Sequence, residues 1–288
     1  MSLMCRPQQA GVPLWGDSKP NRATSENSHF RGEIVKKLLC CLSAVGIAPV
    51  FAAVTTDGVN LINQVTVQDA GGFPYKITQP GSYRLSGNLV VPAAKPVPVG
   101  IVISASDVTL DLNGFTLSCS STCAPENSAL GIAISGKNVS ISNGTITGFA
   151  GTVSGAAIDY GSGTTTASSG RVDRMILSAN SIGVQDNTSG AVSVTNSSII
   201  NNKDTGVVDT LGPLVVSSSV LAGNPVGING QGAPSGLILN NLITASSAFG
   251  LIVSPGGPAY GLNTFQGNGQ NADGGVSMGN NVCGSSTC

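Results

Sequence analysis

The chain reads as all-β: a single-stranded, right-handed parallel β-helix, that is, a solenoid of about eight coils. Three observations predict this. A small residue followed by an apolar one recurs at Gly100-Ile101, Gly131-Ile132, Ala157-Ile158, Gly183-Val184, Gly206-Val207, Gly227-Ile228, Gly250-Leu251 and Gly275-Val276, at intervals of 21 to 31 residues. Between these marks the apolar residues alternate in short runs, and none follows a helical period over a helix's length. Charged residues make up 9% of the chain, against about 25% in an ordinary globular domain, and abundant Gly, Ser, Thr and Asn suit tight corners between strands. A repeat of this size cannot bury its own apolar side, so copies must stack. Stacking is expected to place Ile101, Ile132, Ile158, Val184, Val207, Ile228, Leu251 and Val276 in one inward row, on parallel strands about 4.8 Å apart.

Taken in order, the chain begins with a polar stretch, residues 1–34, that holds the only Trp (Trp15) and the only His (His29). It reads as lying outside the fold, either as a long leader or as a translation start placed too far upstream. Residues 35–52 have the parts of a secretory signal: Lys36-Lys37, an apolar run from Leu38, and small residues at Ala52 where cleavage is expected. The protein is therefore expected to be secreted, to the periplasm, the cell surface or the medium. Beyond Ala52 seven Lys and Arg face eleven Asp and Glu, a net charge of −4. No basic patch interleaved with aromatics is present, so nucleic acid is not an expected partner. No second long apolar stretch follows, so no membrane span is expected in the mature chain. A one-dimensional solenoid needs no division, so one domain and a monomer are expected.

Residues 53–99 read as an N-terminal cap and the first winding strands. Asp57 to Gly72 fits either a short capping helix or, through Val65-Thr66-Val67, a strand; something must cover the open end of the core. Tyr75 to Thr78 and Ser82 to Leu85 flank Gln79-Pro80-Gly81, a turn sequence. The β-helix proper is assigned to residues 100–288. Its first full coil, Asp107 to Leu117, turns Val108, Leu110 and Leu112 to one face and Thr109, Asp111 and Asn113 to the other.

The runs FPYKITQPGSYRLSGNLVVP, GIVISASDVTLDLNGFTL and GIAISGKNVSISNGTITGF resemble secreted bacterial β-helix proteins of the pectate-lyase-like superfamily, over roughly residues 60 to 288. The resemblance implies the fold. It does not select a chemistry, because that superfamily includes polysaccharide lyases, glycoside hydrolases, epimerases, phage tailspikes and non-catalytic surface proteins. The Asn-Thr-Asp, Asp-Asp, Gly-His and Arg-Ile-Lys motifs of its pectin hydrolases are missing, and no His follows residue 52.

Four cysteines follow the signal, in two close pairs. Disulfides Cys119–Cys123 and Cys283–Cys288 are expected, since neighbours need the least loop closure and an exported protein meets an oxidising compartment. A zinc site made from all four is the rival, but a solenoid holds its first and last coils far apart. Asn196, Asn240, Asn241 and Asn263 recur near comparable corners and read as a structural ladder. Phe249, Tyr260 and Phe265 read as inward-stacked rings rather than sugar platforms.

Charge gathers only in the central coils. Asp159, Arg171, Arg174, Asp186, Lys203 and Asp209 are the candidate catalytic residues. Alignment on the inward row puts Asp186 and Asp209 one rung apart, where two carboxylates bind a cation such as Ca²⁺, share a proton, or splay into water. A glycoside hydrolase needs an acid and a carboxylate, which Asp186, Asp209 and Asp159 could supply. A lyase needs a base and a cation, roles suited to Arg171, Arg174 or Lys203 beside an Asp-bound Ca²⁺. The same row position is Ile103, Ile134, Val253 and Met278 elsewhere, so a bare carboxylate there would be costly, and Asp186 and Asp209 are expected as solvated turn residues. Missing motifs and scarce charge favour a non-catalytic module that binds extracellular polysaccharide or a surface partner. A lyase or hydrolase on a uronate-containing polymer, and a purely structural adhesion protein, are the alternatives.

Overall fold

The computed structural model describes residues 58–93, 98–120, 123, 128–151, 155–161 and 167–284. The N-terminal extension, the signal-like stretch and Cys288 lie outside the described residues. What is described is a parallel β-helix with three faces. One turn is clearest at 192–209. Strand Val192–Thr195 meets a corner at Asn196 and Ser197, strand Ser198–Ile200 leads to a second corner at Asn201 and Asn202, and strand Thr205–Asp209 completes the circuit. The chain then returns as Leu214–Ser217, pairing in parallel with Val192–Thr195 so that Val192 lies opposite Leu214.

The first and second faces form one 17-stranded sheet and the third face a separate nine-stranded sheet. Two long strands, Val139–Thr147 and Gly170–Ser178, run through the first corner and join the two faces. They bend at Asn143 and Arg174, each with positive φ, and Asn113, Asn196 and Asn240 take the same left-handed conformation at the equivalent corner. Asn tolerates that backbone better than most residues, and its recurrence in the sequence has this cause.

The inward row of the third face runs Tyr75, Ile101, Ile132, Ile158, Val184, Val207, Ile228, Leu251, Ala272 in unbroken register. Its last member corrects the sequence expectation. Val276 is not in the row; it pairs with Ala259 on the first face and is 49% exposed. The final repeat has a small-apolar pair in the wrong phase, and the true occupant, Ala272, has too small a side chain to signal itself.

Where a glycine precedes a row position, packing requires it. A Cβ on Gly206 would stand 2.5 Å from the carbonyl oxygen of Gly227 in the next rung and 3.1 Å from a methyl of Leu221 on the second face. The alternation expected for Val108, Leu110 and Leu112 is present, all three being buried.

The choice at the N-terminus is settled as a helix, Gln64–Asp69, which with Ile62 and Phe73 buries Val67 on the core. Asn63 Oδ1 accepts from the backbone N–H groups of Val65 and Thr66, and Thr66 Oγ1 accepts from the N–H of Asn63. This capping box outweighs the strand preference of Val65 and Thr66. No helix among the described residues is long and apolar enough to cross a membrane.

Two columns of buried amides run down the corners. Asn180, Asn202 and Asn224 form one. Asn202 Nδ2 donates to Asn224 Oδ1 at 3.0 Å and to the carbonyl of Leu177 at 3.2 Å, while Oδ1 accepts from the backbone N–H and Nδ2 of Asn180. Asn241, Asn263 and Asn281 repeat the pattern at the other corner. Cys119 and Cys123 form a disulfide with Cα atoms 5.8 Å apart. Cys283 is buried and disulfide-bonded. Tyr260 and Phe265 point inward and pack edge to face, with ring centroids 6.4 Å apart.

Candidate functional site

Strands Ile182–Asp186 and Thr205–Asp209 lie side by side with Asp186 opposite Asp209. Alternation from the inward Val184 and Val207 turns both carboxyl groups inward, and each residue is 1% exposed. The expected solvated turn is therefore overturned, although turn capping is real. Asp186 Oδ1 accepts from the backbone N–H of Thr188 at 2.9 Å and from its hydroxyl at 3.0 Å. Asp209 Oδ1 accepts from the N–H groups of Leu211 at 3.0 Å and Gly212 at 2.9 Å. The tight turns after these strands hold the carboxyls at the inner wall, where water would have held them had the strands ended earlier.

The second oxygen of each group has no such partner. Asp186 Oδ2 and Asp209 Oδ2 are both buried and unbonded. Desolvation pushes Asp186 up to about 7, helped by repulsion from Asp209 and Asp159 and opposed by the Thr188 hydrogen bonds. Desolvation likewise pushes Asp209 up to about 6 against the pull of the Gly212 and Leu211 N–H groups. Tyr160 precedes Asp186 in the same column. Burial, then the neighbouring Asp186, keeps its phenol protonated, and its hydroxyl donates to the carbonyl of Val139 at 3.1 Å.

On the first face the central charge is arranged differently. Asp173 accepts from Thr195 Oγ1 at 2.8 Å, Asn196 Nδ2 at 2.9 Å, Arg171 at 3.0 Å and Arg174 at 2.9 Å. Burial alone would raise its pKa, but the hydrogen bonds from Asn196, Thr195 and Arg171 hold it below the ordinary value. The other aspartates of this face are tied in the same way to an asparagine one coil on: Asp107 to Asn138 at 2.7 Å, and Asp111 to Asn143 at 3.1 Å. Arg171 and Arg174 keep side chains 53% and 65% exposed. Arg171 lies in register between Ser140 and Ser193. It borders a shallow depression of about 490 Å³ shared with Asn138, Ser140, Ser169 and Ala191.

The candidate residues do not converge on one groove. Arg171 and Arg174 are on the first face. Lys203 is exposed at the corner between the second and third faces. Asp159 is buried and lies in register with Ala133 and Gln185, out of phase with the inward row. Asp186 and Asp209 are inside. Sequence reasoning missed Asn138, Thr195 and Asn196 as the ties of the first face, and missed Tyr160 as the rung before the acid pair. Counting two places on from Ile158, as from Val184 and Val207, would have found Tyr160.

A calcium ion takes about six to eight oxygen ligands. The acid pair brings two uncommitted oxygens, Asp186 Oδ2 and Asp209 Oδ2, and among the described residues no three His, Cys, Asp or Glu side chains gather to hold a metal. No family model matches the chain, and no curated protein or solved structure matches it either. The class defined so far is thus a parallel β-helix with a hydroxyl-rich, arginine-bearing outer face and an enclosed acid pair.

Proposed function

We propose that the protein is an exported, non-catalytic β-helix of the pectate-lyase-like kind that holds an extracellular polysaccharide across its first face, around Arg171. The observation that carries this reading is the state of the central carboxylates. Asp173 is saturated with four donors, and Asp186 and Asp209 are closed off from the surface. A glycosidase needs an acid and a second carboxylate that both reach the bond being broken, and a lyase needs a base that reaches a sugar proton. What faces solvent is a register of Thr109, Ser140, Arg171 and Ser193 at about one strand spacing. Hydroxyls and a guanidinium suit sugar hydroxyls and the occasional uronate carboxylate. The two arginines around one carboxylate leave a local surplus of one positive charge on an otherwise acidic chain.

The test is incubation of the oxidised protein with neutral and uronate polysaccharides, in the presence of Ca²⁺, followed by assay of both retention and new reducing ends. Retention without cleavage is expected. Cleavage lost on Asp186→Ala would make this an enzyme. A folded protein that binds no polymer would favour the purely structural reading.

A further inference from the structure

We infer that Asp186 and Asp209 share a single proton between their Oδ2 atoms, forming an acid pair inside the β-helix that makes its central coils firmer in mild acid than at neutral pH. The inference is independent of whether the outer face binds a sugar. Its ground is geometric. The two residues are direct partners across parallel strands, each is 1% exposed, and each commits Oδ1 to its own turn. That leaves one buried, unbonded oxygen on each. Two bare carboxylates one rung apart in an apolar core repel and lack solvation. One proton taken from solvent relieves the repulsion and halves the buried charge, because the protonated Oδ2 donates to the ionised one and the pair carries a single negative charge.

Among the described residues, nothing else packed against the pair supplies a counter-charge. Tyr160, on the preceding rung, is protonated and turned toward the carbonyl of Val139. Asp159, on that same strand, adds repulsion. The first face presents Val192, Val194, Leu214 and Val216, and the second Leu177, Ile199 and Leu221, all buried and apolar. Strand Val226–Gly230, on the following side, has no titratable residue. Arg171 and Arg174 pair with Asp173, and Arg84 with Asp111; Lys203 and Asp204 are exposed at the corner. The apparent titrations belong to the pair rather than to either residue, in line with the upward shifts of both groups.

The test is infrared difference spectroscopy of the full chain across pH 4 to 9, read at the C=O stretch of a protonated carboxyl. One such band persisting above pH 5, and lost in the Asp186→Asn, Asp209→Asn double variant, is the expected result. Complete ionisation of all carboxyls by pH 5 in the wild type overturns the proposal without recourse to any variant. A second arm uses thermal unfolding of Asp186→Asn alone. Its amide can donate where the proton sat, so its midpoint should stay level from pH 5 to pH 8 while that of the wild type falls. An unchanged wild-type slope in this variant overturns the sharing. So does a wild-type midpoint that rises with Ca²⁺ and falls with chelator, since a cation would then be doing the proton's work.

Discussion

Asn196 donates its side-chain amide across one coil to Asp173 at 2.9 Å, and so holds the carboxylate that keeps Arg171 and Arg174 together on the outer surface. Asp173→Ala is expected to strand the Asn196 amide and to release both guanidinium groups. The exposed ion pairs contribute little by themselves, about 0–1 kcal/mol each. The buried hydrogen bonds contribute more, so a loss of about 1–3 kcal/mol is expected, measured by denaturant unfolding at pH 7. Because the folded-state pKa of Asp173 is depressed, its contribution is present above the ordinary carboxylate pKa and fades as pH falls through the folded value. The variant and the wild type should therefore converge in strong acid.

The acid pair has the opposite sign. Burial raises both apparent titrations of the pair above the ordinary 3.8, to about 7 and about 6. Between those values the folded chain binds more protons than the unfolded chain. Stability should be highest near pH 4, decline as pH rises toward 7, and level off beyond. Chemical unfolding at five or six pH values checks this. A stability that climbs from pH 4 to 7 would contradict it.

Asn202 and Asn201 are neighbours with opposite consequences. Asn202→Leu would take their partner from the buried backbone N–H of Asn180 and from the acceptor of Asn202 Nδ2, the carbonyl of Leu177, while Asn224 Oδ1 keeps the backbone N–H of residue 202 and Asn180 Nδ2 keeps the carbonyl of Ile146. Each buried group left unpaired costs about 1–3 kcal/mol, so the variant should unfold far earlier or not fold. Asn201 is exposed with φ of 53°, and Gly223 takes the equivalent place one coil on with φ of 66°. Asn201→Gly should change the thermal midpoint little.

Gly206→Val places branched carbon where the carbonyl of Gly227 and a methyl of Leu221 already stand. Overpacking of this kind costs about 1–3 kcal/mol or more. Since each coil relies on its neighbours, the loss should appear as an earlier, broader unfolding transition by circular dichroism.

The fold was legible because its signal is repeated. Eight small-apolar pairs gave the period, and seven of them fall in the inward row. The eighth failed because Ala272 is the true occupant and the last coil is too short to keep phase. The acid pair was half legible. Counting from Val184 and Val207 gave the register of Asp186 with Asp209, and the cost of burying charge then argued against the inward placement that the strand period demanded. A shared proton lowers that cost, and no residue pattern announces a proton. The ties Asp173–Asn196 and Asp111–Asn143 were hidden because donor and acceptor are 23 and 32 residues apart, and only the varying loop lengths bring them together.

The central claim is that the first face holds a polysaccharide at Arg171 without cutting it. The most direct measurement is affinity electrophoresis of wild type, Arg171→Ala and Lys203→Ala through gels carrying each polysaccharide. The account predicts that one polymer retards the wild type and Lys203→Ala alike, and that Arg171→Ala loses most of the retardation while remaining folded. Equal retardation of Arg171→Ala, or retardation that depends on Lys203 instead, would contradict it and move the binding surface to another face of the β-helix.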